Sequence, residues 1–352
     1  VIIDSDPGGY IGSTNEEFVD LMAGQIGVMR ELNPASELVY WMHFRWENYN
    51  RFWETTSKWQ PGDPPFDFTP DPRVFHDTLA LVRDRIAEPW SVLANNTPWG
   101  HRAATDALGL AHRRCALHYG LIEGEPTFPL TNCNPKMIED VVRGYTHEDY
   151  PLGFLGNAQT HVMQLPHTYL LAEHWLKGAA ATPDLAAFAD QVIPGLGEPI
   201  GQAWASLEGP DADLLDRLAS RLEPEVGRVH RTGVSSGLLI GSAGRFLSDL
   251  VMNLRVRARL VDLRTAIKAS GNVRAATREY LEVLRPYQER LGFVDAAGGP
   301  AVDGLFEAAN ALNDPAANAV VADYGDWRDP SIRHGILPRL LDALQTCCQT
   351  AN

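Results

Sequence analysis

Long hydrophobic runs are missing from this 352-residue sequence. The apolar stretches, such as Gly237 to Gly241, fall far short of the roughly 20 residues a helix needs to cross a bilayer. Basic residues are also in short supply: 30 Lys and Arg face 45 Asp and Glu, a formal net charge of −15. Such a surface repels phosphate backbones and anionic lipids, and no Lys/Arg-rich stripe offsets it. Neither nucleic acid nor a membrane is therefore an expected partner. Cysteine is scarce too. Cys115, Cys133, Cys347 and Cys348 follow no disulfide or zinc spacing, which points to free thiols in a reducing compartment, and with no visible signal peptide the expected location is the cytoplasm. A leading Met is also absent. The chain opens on Val1-Ile2-Ile3-Asp4, a buried-strand pattern, so upstream sequence is expected.

What is present is an ordinary globular composition, 45% hydrophobic and 21% charged, long enough for two domains. Up to about residue 178, short apolar runs alternate with helical patterns, the signature of parallel strands joined by crossover helices. Strands are expected at Val1 to Asp4, Glu37 to Phe44, Trp90 to Asn95, Thr127 to Thr131 and Leu152 to Asn157. Helices are expected from Thr14 to about Leu32, Asp71 to Ile86, Ala103 to Tyr119, Pro135 to Arg143 and His167 to Leu176. A long loop carrying Trp46, Trp53, Trp59 and a proline cluster follows the second strand. Residues 179–352 read as an α-helical domain, with helical spacing over Asp211 to Leu222, Leu247 to Ala269, Val273 to Arg290, Gly304 to Asn313 and Ile336 to Cys347. An aromatic and acidic loop, Asp323 to Asp329, separates the last two and could close over a site.

Two α/β solutions fit the first part. One is an open five-stranded sheet covered on both faces. The other is strands four to eight of a (β/α)8 barrel, and the expected upstream sequence favours it, because a whole barrel needs about 250 residues. In either fold, function gathers at the carboxyl ends of the strands. Polar residues crowd every one of these ends: Asp4 and Asp6; His43, Arg45, Glu47 and Asn48; Asn95 and Asn96; Asn132; Asn157, Gln159 and His161.

Amides and carboxylates can each serve two neighbouring hydroxyls, which suits a polyhydroxylated ligand. Trp41, Trp46 and Trp99 would stack on the flat C–H faces of sugar rings. Glycoside hydrolysis needs two carboxyl groups, or one acid and a carboxylate that steadies the substrate's own acetamido group. Asp4 and Asp6 sit two residues apart, where the period of a strand aims both the same way, and Pro7-Gly8-Gly9 then turns the backbone. Glu47 is the best separate carboxylate. His161, His167 and His174 match no metal-ligand spacing, and no metal or cofactor is expected.

The order of strand, Asp4-Ser5-Asp6-Pro7-Gly8-Gly9, helix, then Leu38 to Trp46 (LVYWMHFRW) resembles the catalytic barrels of glycosidases around the β-hexosaminidases, O-GlcNAcases and α-glucuronidases. The resemblance covers residues 1 to about 180. It implies a glycoside hydrolase acting on an N-acetyl sugar or a uronic acid, with one of Asp4 and Asp6 as proton donor and the other orienting the acetamido nucleophile. Those families use adjacent acids, whereas Ser5 intervenes here. A non-catalytic carbohydrate-binding barrel is the alternative. Ile2 to Gly8 also resembles the calcium-binding start of nucleoside hydrolases, but Gly9, Tyr10 and Ile11 stand where that family has further aspartates.

Overall fold

The first helix shows how local sequence fixes an element. The Thr14 hydroxyl accepts the Glu17 backbone N–H at 3.2 Å, while the Glu17 carboxylate accepts the Thr14 backbone N–H at 2.9 Å, a reciprocal cap. Helix α1 (Asn15–Leu32) follows and ends at Asn33, because the residue before Pro34 avoids helical geometry. Phe18, Val19, Met22 and Ile26 recur at helical spacing and are buried. The computed structural model describes residues 10, 12–42, 45–56, 70–94, 100–118, 134–156, 165–232, 242–291, 300–325 and 336–349.

After α1 come β1 (Leu38–Trp41), α2 (Arg45–Thr56), α3 (Pro72–Arg85), β2 (Trp90–Ala94), α4 (His101–Ala107), β3 (Arg114–His118), α5 (Pro135–Arg143) and β4 (Phe154–Gly156). The remainder is helical: α6 (Leu165–Lys177), α7 (Leu185–Val192), α8 (Gly197–Ser206), α9 (Ala212–Thr232), α10 (Ala243–Lys268), α11 (Val273–Leu291), α12 (Pro300–Leu312), α13 (Pro315–Gly325) and α14 (Ile336–Gln349). The chain forms two units, Val1–Leu121 with Asp140–Asn157, and Ile122–Glu139 with Ala158–Asn352.

In the first unit the four described strands are parallel and run in the order β1-β2-β3-β4. Among the described strands the order does not reverse, whereas a whole doubly wound sheet reverses at its switch point. Right-handed crossovers between strands in unreversed order put every connecting helix on one face. The register agrees with that expectation. Leu38, Tyr40, Trp90, Val92, Ala94, Arg114 and Ala116 share one face and are all buried. The opposite face carries Val39, Trp41, Ser91, Leu93, Cys115, Leu117 and Leu155. Only Leu93 and Leu117 of these are buried, and Leu155 is 39% exposed.

The fold class is thus α/β, with a small parallel sheet and a helical remainder. Two segments differ from expectation. The helix expected over Ala103 to Tyr119 is α4 followed by β3. Gly109, at φ +69°, adopts the left-handed conformation that ends α4, and Leu110 N–H bonds back to Thr105 O at 2.8 Å to close it. Arg45, Trp46 and Glu47, which open the long loop of the sequence reading, instead stand on the first turn of α2. The strands expected at Val1 to Asp4 and Thr127 to Thr131 lie outside the described residues.

In the second unit α10 packs against α9, α11 and α12, and it is buried on most of its circumference, as a central helix should be. Val256, Leu260, Tyr280, Leu284, Leu305 and Leu344 belong to its core. Helices α7 and α8 cross backbone on backbone. A Cβ at Gly201 would stand 2.6 Å from Ala186 Cα and 2.7 Å from Ala186 N, where no side chain can yield. Gly201→Ala is expected to destabilise the protein by about 1–3 kcal/mol. Gly24→Ala, on an α1 face where a Cβ meets nothing within 4 Å, should instead stabilise it by roughly 0.5–1 kcal/mol. Urea midpoints of the two variants against the parent test both signs.

Candidate functional site

The carboxyl end of β1 is the described part of the site that sequence proposes. Trp41, the last residue of β1, lies half-buried on the open sheet face, in register with Leu93. Four residues later the chain turns into α2 through Arg45, a non-glycine residue at φ +57°. Such a conformation costs of order 1–3 kcal/mol and persists only where the surroundings hold it. They do so here. Arg45 is fully buried, with Nε donating to Asn15 Oδ1 at 3.1 Å, Nη2 to Ser13 O at 3.1 Å, and the guanidinium 4.4 Å above the Phe18 ring. Its fork ties the β1–α2 junction to the start of α1.

The next three residues divide by face. Trp46 is half-buried and meets the Tyr49 ring edge-on at 5.4 Å. Glu47 is exposed on the first turn of α2. Asn48 is fully buried and works as a two-sided clamp: Oδ1 accepts the Asp71 N–H at 2.7 Å and Nδ2 donates to Asp71 O at 3.2 Å. Asp71 caps α3 by accepting the Arg73 N–H, so Asn48 fixes where that helix begins. Asp4, Asp6, His43, Asn95, Asn96, Trp99, Asn132, Asn157, Gln159 and His161 lie outside the described residues. Of the first unit's candidates, the structure therefore shows Trp41 and the Arg45–Trp46–Glu47 turn.

A cavity of about 750 Å³ lies on the open sheet face, lined by Val39, Ser91, Leu93, Cys115 and Leu155 and by Glu37, Glu88 and Arg113. The last three flank the starts of strands, the end opposite the candidate chemistry. Burial pushes the Cys115 thiol up to about 11, so no thiolate nucleophile is on offer there at neutral pH.

In the second unit the structure brings out a pair that spacing alone did not single out. The Asn134 backbone N–H donates to His167 Nε2 at 3.2 Å. Asn134 Oδ1 accepts the Met137 N–H at 2.9 Å, and its Nδ2 donates to Glu208 Oε2 at 2.9 Å. His167, on the first turn of α6, is 3% exposed, and burial pushes its imidazole down to about 4. The ring is therefore neutral at physiological pH, and with Nε2 accepting, its proton resides on Nδ1. A separate pocket of about 330 Å³ is lined by Pro135, Lys136, Glu139, Leu170 and His174. Among the described residues no three His, Cys, Asp or Glu side chains gather as a metal site, and no helix is long and apolar enough to cross a membrane.

The chain matches no protein-family model, no curated protein and no solved structure.

The buried His167 makes a pH prediction. Its folded-state value lies below the ordinary 6.5, so its contribution to stability is complete above that value. It is lost as pH falls toward about 4, because the unfolded chain takes up the proton first. Gln can replace Nε2 as acceptor without titrating. Between pH ~7 and pH ~4.5 the parent should lose about 2–3 kcal/mol more stability than His167→Gln. Parallel urea titrations at the two pH values would show it, and equal losses would refute it.

Proposed function

We propose that this protein acts on carbohydrate, and that its first unit is part of a (β/α)8 barrel that hydrolyses a glycosidic bond by carboxylate acid catalysis. One observation carries the reading: four parallel strands in unreversed order, buried on one face and open on the other. In this reading the sheet is a barrel segment whose open face is the inner wall. The carboxyl ends of its strands converge on one mouth. In the sequence His43, Asn95 and Asn157 follow Trp41, Leu93 and Leu155 by two positions.

In this reading Asp4 or Asp6 donates the proton to the leaving oxygen, and the other acid or Glu47 supplies the second carboxylate. Trp41, Trp46 and Trp99 stack on sugar rings, and Asn95, Asn96 and Asn157 take hydroxyls. Arg45 is spent on Ser13 and Asn15, so it shapes the β1–α2 corner more than it reaches for substrate. Asn132, Gln159 and His161 belong to the second unit and supply amides and an imidazole for hydroxyls there. The resemblance points to an N-acetylated or uronic sugar.

A second reading, binding without hydrolysis, draws support from Glu47, which stands exposed on a helix. One experiment separates the two. The parent and its Asp4→Asn, Asp6→Asn and Glu47→Gln variants are assayed on aryl glycosides that include N-acetylhexosaminides and glucuronides. Loss of a catalytic acid should lower kcat/KM by about 10²–10⁴-fold, whereas variants that all match an active parent would dismiss these acids. An inactive parent that still binds the glycosides would leave the binding reading.

A further inference from the structure

We propose that the second unit carries a binding site for a small, uncharged, polyhydroxylated ligand, the size of a single sugar ring, in the cavity lined by α5, α6 and the turn that leads into α7. The inference goes beyond the carbohydrate reading above and rests on no residue of the first unit. The cavity holds about 330 Å³, room for about ten waters and at the lower end of the range for small-molecule sites. His174 lines it from the last turn of α6, is 8% exposed, and has a ring that no group bonds among the described residues. A buried polar ring without a protein partner needs an account, and the cavity is the side from which a partner can arrive.

The walls are held by bonds that do not involve His174. On one side the start of α5 brings Pro135, Lys136 and Glu139. It is fastened to α6 by the Asn134 N–H, which donates to His167 Nε2, while Asn134 Oδ1 accepts the Met137 N–H. On the other side Gly178, at φ +54°, turns the chain out of α6, and the Ala181 N–H closes that turn on Gly178 O at 3.1 Å. The Tyr169 hydroxyl accepts the Asp184 N–H at 3.0 Å, and its ring stacks on Phe188 at 4.3 Å, so the segment carrying Pro183 and Leu185 is tied to α6 as well. A cavity whose walls are already bonded costs its ligand little reorganisation.

The charges of the lining select the class of ligand. Lys136 Nζ and Glu139 Oε2 stand 3.6 Å apart on neighbouring turns of α5, so the two charges balance. A lone anion would have to displace Glu139 from the Lys136 ammonium, and a lone cation would have to do the reverse. A hydroxyl displaces neither, because its oxygen accepts from an ammonium while its proton goes to a carboxylate. A neutral imidazole has the same two-sided character, donating from one nitrogen and accepting at the other. Leu170, Leu185, Pro135 and Pro183 complete the lining with aliphatic carbon, which suits the C–H face of a ring. Donors and acceptors together over an aliphatic wall match a neutral polyol, and match neither a lipid nor a phosphate.

The test reads the cavity directly. The uniformly 15N-labelled full chain is titrated with glucose, galactose, mannose and N-acetylglucosamine, with acetate and phosphate as charged comparisons, following the His174 ring resonances and measuring affinity by calorimetry. The expected result is a saturable shift of the His174 ring with at least one of the sugars and none with the anions. His174→Phe should weaken that binding about tenfold. Ala179→Trp, which places an indole at the exposed rim of the cavity and leaves His174 in place, should weaken it at least as much. A sugar that binds both variants as it binds the parent overturns the inference and leaves the carbohydrate reading of the first unit standing. A ring that responds to acetate or phosphate but to no sugar overturns the class of ligand. A ring silent to every probe overturns the site itself, whatever the glycoside assay of the first unit's acids shows. Ala179→Trp keeps the question decidable if His174→Phe fails to fold.

Discussion

The parallel pairing of β1 to β4 governs the rest of the first unit. Each strand must return to the same edge before the next begins, which demands a crossover of a dozen or more residues. Helices α3 and α4 and their flanking turns meet that demand with sequence that caps and stops them at defined places. Asp71 starts α3 and Gly109 ends the turn after α4. Because the order does not reverse, one face is sealed and the other is left with Val39, Trp41, Cys115 and Leu155 only partly covered. Parallel sheets are ordinarily covered on both faces.

The β1–α2 corner shows why polarity at a strand end is an ambiguous sign. Burying a guanidinium is expensive unless its donors are met, and Arg45 meets them with one backbone carbonyl, one amide and an aromatic face. Those partners all come from the start of α1. A positive φ at the same residue opens α2, four positions after the end of β1. The cation is thus used to weld two segments, and Asn48 does the same between α2 and the first turn of α3. Both residues have the chemistry of ligand binders and the burial of joints. Sequence sees the former and not the latter, because burial is a property of what arrives from elsewhere in the chain.

The same distinction explains what was legible. Helix α1 was readable from Thr14, Glu17 and Asn33-Pro34, since its signals are local. Helices α3 and α5 and strand β2 were readable for similar reasons, each bounded by Pro, Asp or Gly within a few residues. Strand β3 was not. Arg113 to Leu117 is built from good helix formers that continue the spacing of α4, and only Gly109 marks the break. Its place between β2 and β4 decides its conformation, an instance of tertiary pairing overriding propensity. The place of Trp41 on a strand was legible from the aromatic run Glu37 to Phe44. The Asn134–His167 pair was not, because the two are 33 positions apart and meet through a backbone N–H that carries no side-chain signature.

In the helical unit, several buried polar groups are joined in one network. Asn253 Nδ2 donates to the Tyr287 hydroxyl at 3.1 Å, Arg257 Nε donates to Asn253 Oδ1 at 2.9 Å, and Arg257 Nη1 donates to Leu207 O at 2.9 Å. Leu207 precedes Glu208, which accepts from Asn134. Burial pulls the Arg257 guanidinium down only to about 10, so it stays charged at neutral pH and its bonds are permanent. A chain of hydrogen bonds through a low-dielectric core gives each member a unique geometry, since any slip strands a buried donor. One end of this chain lies at α11 and the other, through Leu207 and Glu208, at Asn134, the residue that sets the tautomer of His167. The helical core thereby constrains the backbone N–H that His167 Nε2 accepts.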